Sequence, residues 1–264
     1  MIKETDTKSS TDDEITSIDK IETKKSLLIL FLVFLCSLLA MIYIYMSFPE
    51  LNETERKYIK IPFDIDSAKM LAKILDQYKD LYYFQVMGGI VVTYIFLQTF
   101  AIPGSLFLSI LLGFLYKFPI ALSLICFSSA FGASLCYLLA SVVGRPLILH
   151  YFSSRTTTLT NYVNKHRDSL FNLMLFLRIT PILPNWLINL CAPVVGVPLY
   201  PFVLGTFFGV APPSVLAIQA GKTLQTMTTT SGTFSWTNVA ILSASAVLAV
   251  IPIFFKNKVK NKLE

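Results

Sequence analysis

Arg178 stands inside FLRITPILPNWLINL, residues 176 to 190, followed by Pro181 and Pro184 and then by Asn185 and Asn189, one helical turn apart. The rest of that stretch is apolar. A guanidinium offers five N–H donors in a planar fork and does not release its proton, so its chemistry is recognition of an oxyanion rather than proton transfer. At membrane depth it costs at least about 2.5 to 3.5 kcal/mol on insertion scales. It therefore needs a water-filled cavity, backbone carbonyls released by the prolines, or a lipid phosphate. The competing reading is that Arg178 snorkels or ties its own broken backbone. Charges inside a membrane are functional by default, which favours the first reading. Gln98, Ser105, Asn185 and Asn189 are candidate polar steps along the same path, or interhelical hydrogen-bond partners.

Other chemistries lack their residues. Between Leu81 and Lys262 the only carboxylate is Asp168, in a polar loop, so paired-carboxylate acid–base work inside the membrane has no groups to perform it. The two histidines, His150 and His166, lie in loops, and no G-x-S-x-G surrounds a serine. Cys36, Cys126, Cys136 and Cys191 lie in apolar runs at no metal-ligand spacing, which points to buried structural thiols. An enzyme is not expected, nor is a metal or cofactor.

The elements that carry these residues are set by hydropathy. Of 264 residues 54% are hydrophobic, the mean hydropathy is +0.64, and the apolar runs are long, as in a multi-pass membrane protein. The net charge is +6, and the cations sit in the leader, two loops and the tail FKNKVKNKLE, without aromatic platforms, so they read as membrane-surface charges and not as a nucleic-acid interface. Residues 1–26, with seven acids and five lysines, read as a disordered leader. Residues 27–48 read as an anchor helix rather than a cleaved signal. In the 49–80 loop, Leu71, Ile74, Leu75 and Tyr78 follow Asp66, an expected N-cap, at helical spacing, predicting a short amphipathic helix on the membrane surface. Asn52-Glu53-Thr54 is a glycosylation sequon, close enough to the anchor for poor use.

The core is expected over residues 81–222. The uncharged run Leu81 to Tyr116 is too long for one span and too short for two, and Pro103-Gly104 interrupts it. That predicts a re-entrant hairpin over 81–117, with a span plus stub as the rival. A full helix over 118–143 opens on Phe118-Pro119 and closes on Gly144-Arg145 as a glycine cap with a cation. A polar loop, 144–169, holds a second interfacial helix. A second broken segment, 170–198, carries Pro181, Pro184 and Pro193, and a full helix over 199–221 opens on Tyr200-Pro201 and closes on Gly221-Lys222. Pro212-Pro213 is expected to kink that helix. A short loop, 223–236, a last span, 237–255, and a basic tail, 256–264, complete the chain.

The order "broken segment, aromatic-Pro, full helix, Gly-cation" thus occurs twice. The fold class expected is an all-α polytopic membrane protein, an inverted repeat of two re-entrant hairpins each followed by a transmembrane helix, with further helices at both ends. The 144–169 loop has four Lys or Arg against one acid, whereas the loop from Lys222 to Trp236 has one cation, so the 144–169 loop and the tail are placed in the cytosol, and the leader follows by parity of the spans.

Four segments carry a family resemblance: FAIPGSLFLSILLGFLY (100 to 116), GASLCYLLASVVGRP (132 to 146), FLRITPILPNWLIN (176 to 189) and GTFFGVAPPSVLAIQAG (205 to 221). Together they resemble the eukaryotic transmembrane protein 41 group of the DedA superfamily, also called the VTT-domain or SNARE-associated Golgi protein family. The likeness covers roughly residues 65 to 260, and GRP, FLRITP and GVAPPS are similar to the B branch of the group. The resemblance implies opposed re-entrant hairpins and an endoplasmic-reticulum phospholipid scramblase. Such a protein works without an energy source and supports lipid mobilisation, autophagosome formation, lipid droplets and lipoprotein export. Its implied partners are membrane phospholipids and other autophagy or trafficking membrane proteins. Bacterial relatives carry acids near the positions of Gln98 and Ser105 and a second arginine after the one matching Arg178; this chain has neither. A proton- or ion-coupled transporter is therefore the alternative, and a non-transporting trafficking organiser is the second.

Overall fold

The structure, a computed structural model, describes residues 28–47, 57–58, 65–144, 160–161, 163–165, 167–180 and 183–229. The leader, Asn52, Pro181, most of the 144–169 loop, the expected last span and the tail lie outside the described residues. Among the described residues every regular element is a helix. Among the described residues three segments are long and apolar enough to cross a membrane: Leu28–Ser47, Phe118–Val142 and Leu199–Thr226.

Leu28–Ser47 is α1, whose apolar side chains are exposed nearly all round. Its contacts with the rest of the protein include Phe34, whose ring centroid lies 5.4 Å from that of Phe100 in an edge-on contact, and Ile44, which packs beside Gly89. Outward apolar residues on a helix of this length suit a hydrocarbon solvent. Ile65–Tyr78 is α2. Asp66 lies inside its first turn rather than before it, where a carboxylate still favours the positive end of the helix dipole. Leu71, Ile74 and Leu75 are buried, and α2 packs on the helix Ser105–Leu115. Its apolar stripe is thus covered by protein, which any apolar surface answers as well as lipid does.

Tyr83–Thr99 is α3 and Ser105–Leu115 is α4. The break between them holds Pro103 and Gly104. Gly104 has φ 136°, a conformation an L side chain adopts only under strain, and the Ile102 N–H closes the turn on the Leu97 carbonyl at 2.8 Å. At 1.5 Å per residue α3 spans about 25 Å and α4 about 16 Å, so neither matches the ~30 Å of a hydrocarbon core as a full span with margin. Phe118–Leu139 is α5, with Pro119 in its first turn where a missing N–H costs nothing. It closes with a π turn over Ala140–Gly144 instead of a simple glycine cap.

Leu170–Ile179 is α6 and Asn185–Val194 is α7. Pro193 falls inside the last turn of α7, not at a break; the chain departs just beyond it, at Gly196 with φ 82°. Leu199–Gly209 is α8 and Ala211–Thr229 is α9. They are separated at Val210, just before Pro212 and Pro213, which have no N–H to donate into the preceding turn. Gly221 does not end a helix, since α9 continues to Thr229. Its lack of a side chain serves packing: a Cβ there would collide with the Ile110 carbonyl and lie 2.7 Å from the Phe114 nitrogen.

The packing is exchanged between the two halves. α3 lies on α5, the long helix that follows it, and α6 lies on α8 in the same way. The second short helix of each pair crosses to the other half, α4 onto α9 and α7 onto α5. Two apolar cores result. One gathers Leu97, Leu112, Phe114, Ile125 and Ile218, and the other Ala133, Met174, Ile188 and Phe202. Lys222 sits 5.4 Å over the Phe118 ring, so the Gly-cation mark of one half docks on the aromatic-Pro mark of the other.

Candidate functional site

The site is built where the broken ends of the two halves meet. Thr180 leaves α6 in an extended conformation, and Pro184, at φ −61°, is the N-cap of α7. Arg178 is therefore in the last turn of α6, beside the first turn of α7. A cation at a helix C-terminus is favoured by the dipole. Gly209 on α8 has no side chain to hold Arg178 away, and Gly132 on α5 does the same for Gln98 on α3.

Arg178 is 4% exposed. Its Nη1 donates to the Asn185 side-chain oxygen at 3.2 Å and to the Asn185 carbonyl at 3.4 Å. Its Nη2 donates to Asn189 Oδ1 at 2.6 Å. Because a guanidinium only donates, the Asn189 oxygen must face it, which turns the amide nitrogen the other way. That nitrogen donates to Gln98 Oε1 at 3.4 Å. The guanidinium carbon lies 5.2 Å from the centroid of the Phe202 ring, a cation–π contact in an apolar setting.

The result is a polar chain across the two halves. Asn185 is exposed, whereas Arg178, Asn189 and Gln98 are buried. The chain leads inward from the protein surface. Every acceptor on Arg178 is a neutral oxygen, and the Arg178 Nε–H has no hydrogen-bond partner among the described residues. Pro193 adds to the polarity, because it has no N–H for the Asn189 carbonyl four residues before it. Among the described residues there is no cluster of His, Cys, Asp or Glu able to hold a metal ion.

Ser105, grouped with these residues by sequence, is elsewhere. It starts α4, and its carbonyl accepts from Ser109 Oγ at 3.0 Å. Ser109 belongs to a second buried group that sequence reasoning missed: Tyr94 OH lies 3.2 Å from Ser109 Oγ and accepts from Ser129 Oγ at 3.0 Å. A signal for it existed. Ser105 and Ser109 stand four residues apart at the head of α4, as Asn185 and Asn189 do at the head of α7. The first half thus holds a neutral, mutually satisfied hydroxyl group, and the second a cation whose partners are all neutral. Phe202 was also missed; an aromatic in an apolar helix gives no sign of what lies beneath it.

A VTT domain matches residues 102–223, a range that contains every member of the polar chain except Gln98. Transmembrane protein 41 homolog of Drosophila melanogaster is 64% identical over 242 residues, 92% of this chain and 76% of that protein. Transmembrane protein 41B of Xenopus laevis is 53% identical over 91% of this chain and 87% of its own length. The human transmembrane protein 41B is 51% identical, over 91% and 83%. No solved structure matches the chain. With relatives this similar over more than nine-tenths of its length, and a VTT domain across residues 102–223, the chain belongs to the transmembrane protein 41 family of DedA/VTT-domain membrane proteins.

Proposed function

We propose that the protein is an energy-independent phospholipid scramblase of the endoplasmic reticulum membrane, supplying lipid redistribution to autophagosome formation, lipid droplets and lipoprotein export. In this reading α3–α4 and α6–α7 are two re-entrant hairpins that meet from opposite leaflets. Both termini face the cytosol. The observation that carries it is the buried guanidinium of Arg178, whose hydrogen-bond acceptors among the described residues are all neutral amide oxygens, within a polar chain that begins at exposed Asn185. A phosphodiester is an anion that such a fork recognises through charge-assisted hydrogen bonds, about twice as strong as neutral ones. The headgroup passes along amides and released carbonyls while its acyl chains remain in hydrocarbon. Location and cellular role rest on the family, and the partners proposed are phospholipids and other autophagy or trafficking membrane proteins.

The sequence argues against proton coupling, because a proton carrier of this kind needs a carboxylate or histidine at depth, and between Leu81 and Lys262 the only ones, Asp168, His150 and His166, fall in the polar 144–169 loop. The test is reconstitution of the purified protein in vesicles containing a fluorescent phospholipid, followed by dithionite. The scramblase reading expects bleaching well past the outer-leaflet half without ATP or an ion gradient. Bleaching that stops at the half at every protein density overturns it.

A further inference from the structure

The guanidinium of Arg178 is matched, not left bare, by the side chain of Asn189. That side chain is fully buried, makes the shortest of the Arg178 contacts at 2.6 Å and is tied across to the other half by the long 3.4 Å bond to Gln98 Oε1. One amide thus does two things at once. Its oxygen occupies the place on Nη2 where an oxyanion would bind, and its nitrogen bridges α7 to α3. A neutral oxygen is the weaker partner for a guanidinium, so a phosphate oxygen displaces it, whereas a carboxylate there would not yield.

We propose that Asn189 is the positioning residue of lipid transit, a neutral stand-in for phosphate that keeps Arg178 oriented and the path latched to Gln98 until a phosphodiester headgroup takes its place. This rests on the scramblase reading above. Displacement frees the Asn189 side chain, breaks its bond to Gln98 and releases α7 from α3, so headgroup arrival and opening are one event. Asparagine suits both roles where its neighbours in size do not, since aspartate would hold Arg178 permanently and leucine would leave it without orientation.

The test uses the full chain in dithionite vesicles with fluorescent phosphatidylcholine and, separately, fluorescent glucosylceramide, which has no phosphate. Asn189→Asp supplies a carboxylate of the same shape, to which the Gln98 amide can turn its NH2 so that the latch is kept, and is expected to slow phosphatidylcholine about tenfold, the difference of roughly 1.4 kcal/mol between a charged and a neutral hydrogen bond. Glucosylceramide, with no phosphate to displace Asn189, is expected to cross far more slowly than phosphatidylcholine in wild type, and Asn189→Asp leaves that slow rate unchanged. Gln98→Met, which removes the latch acceptor with little change of shape, is expected to speed phosphatidylcholine about two- to threefold, the worth of one weak hydrogen bond. Opposite signs from two buried substitutions are not what loss of folding produces. A wild type that excludes glucosylceramide supports the same conclusion, because phosphate is then required. Replacing chloride in the buffer by inorganic phosphate is expected to leave the rate unchanged, the ligand being a headgroup delivered by the membrane; slowing would mean a site open to free anions and would contradict the proposal. Equal slowing of both lipids by Asn189→Asp, or a Gln98→Met rate at or below wild type, overturns it. A wild type that moves no phosphatidylcholine overturns the scramblase reading itself, a different result from active protein indifferent to these substitutions.

Discussion

Gln98 and Arg178 hold equivalent places in the two halves: a Cβ at Gly132 would lie 2.6 Å from that of Gln98, and a Cβ at Gly209 would lie 2.5 Å from that of Arg178. Each sits near the end of the first short helix in its half, pressed onto a glycine of the long helix behind it. Each bonds to α7. The halves share a frame but not a charge, and the difference between an amide and a guanidinium at this one place makes the site asymmetric.

Gly209→Ala follows from that contact. The added methyl cannot coexist with the Arg178 Cβ, nor comfortably with the Leu175 carbonyl at 3.1 Å, so α6 must move off α8. Overpacking of this kind costs about 1 to 3 kcal/mol. The expected outcome is a lowered thermal transition in detergent, read by tryptophan fluorescence, together with slower lipid transit in vesicles. An unchanged transition would show that α6 and α8 are not in close contact.

Tyr94→Phe separates structure from transport. It removes the hydroxyl that joins Ser109 and Ser129, leaving two buried serines to rely on backbone carbonyls, a loss of about 1 to 2 kcal/mol. Stability falls while the scrambling rate per folded molecule stays at the wild-type value. A rate that falls with normal stability would move the path into the first half, against the asymmetry described above.

Pro193→Ala restores an N–H four residues after the Asn189 carbonyl, in a turn that is already helical. The helix is expected to become more stable by about several tenths of a kcal/mol or more, and the path less polar. Transit should slow although the protein melts higher. A variant both more stable and faster would show that the released carbonyl plays no part.

The breaks were legible in the sequence for a physical reason: glycine at positive φ and proline at a helix start are demands of the backbone alone, and Gly104 and Pro184 meet them locally. Pro193 and Gly221 show the limit of that reasoning. A proline can sit in the last turn of a helix and a glycine in its middle when packing requires it, and packing is set by the partner helix. Arg178, Asn185 and Asn189 could be grouped from their spacing on one segment. The bond from Asn189 to Gln98 spans 91 residues and exists only because α7 crosses to the opposite half, a topology that hydropathy does not encode. For α2 the apolar stripe was legible but not what covers it, because protein and lipid ask the same pattern of a helix.

The sharpest comparison sets wild type beside Arg178→Met in the same dithionite vesicles, at matched amounts of monodisperse protein. Methionine keeps much of the side chain's apolar stem and removes the charge and every donor. Wild type is expected to bleach well past the outer-leaflet half. Folded Arg178→Met is expected to bleach the inner leaflet at least about tenfold more slowly, the loss of a charge-assisted contact of roughly 1.4 kcal/mol or more. Equal, rapid bleaching by both proteins would contradict a role for the guanidinium in lipid transit.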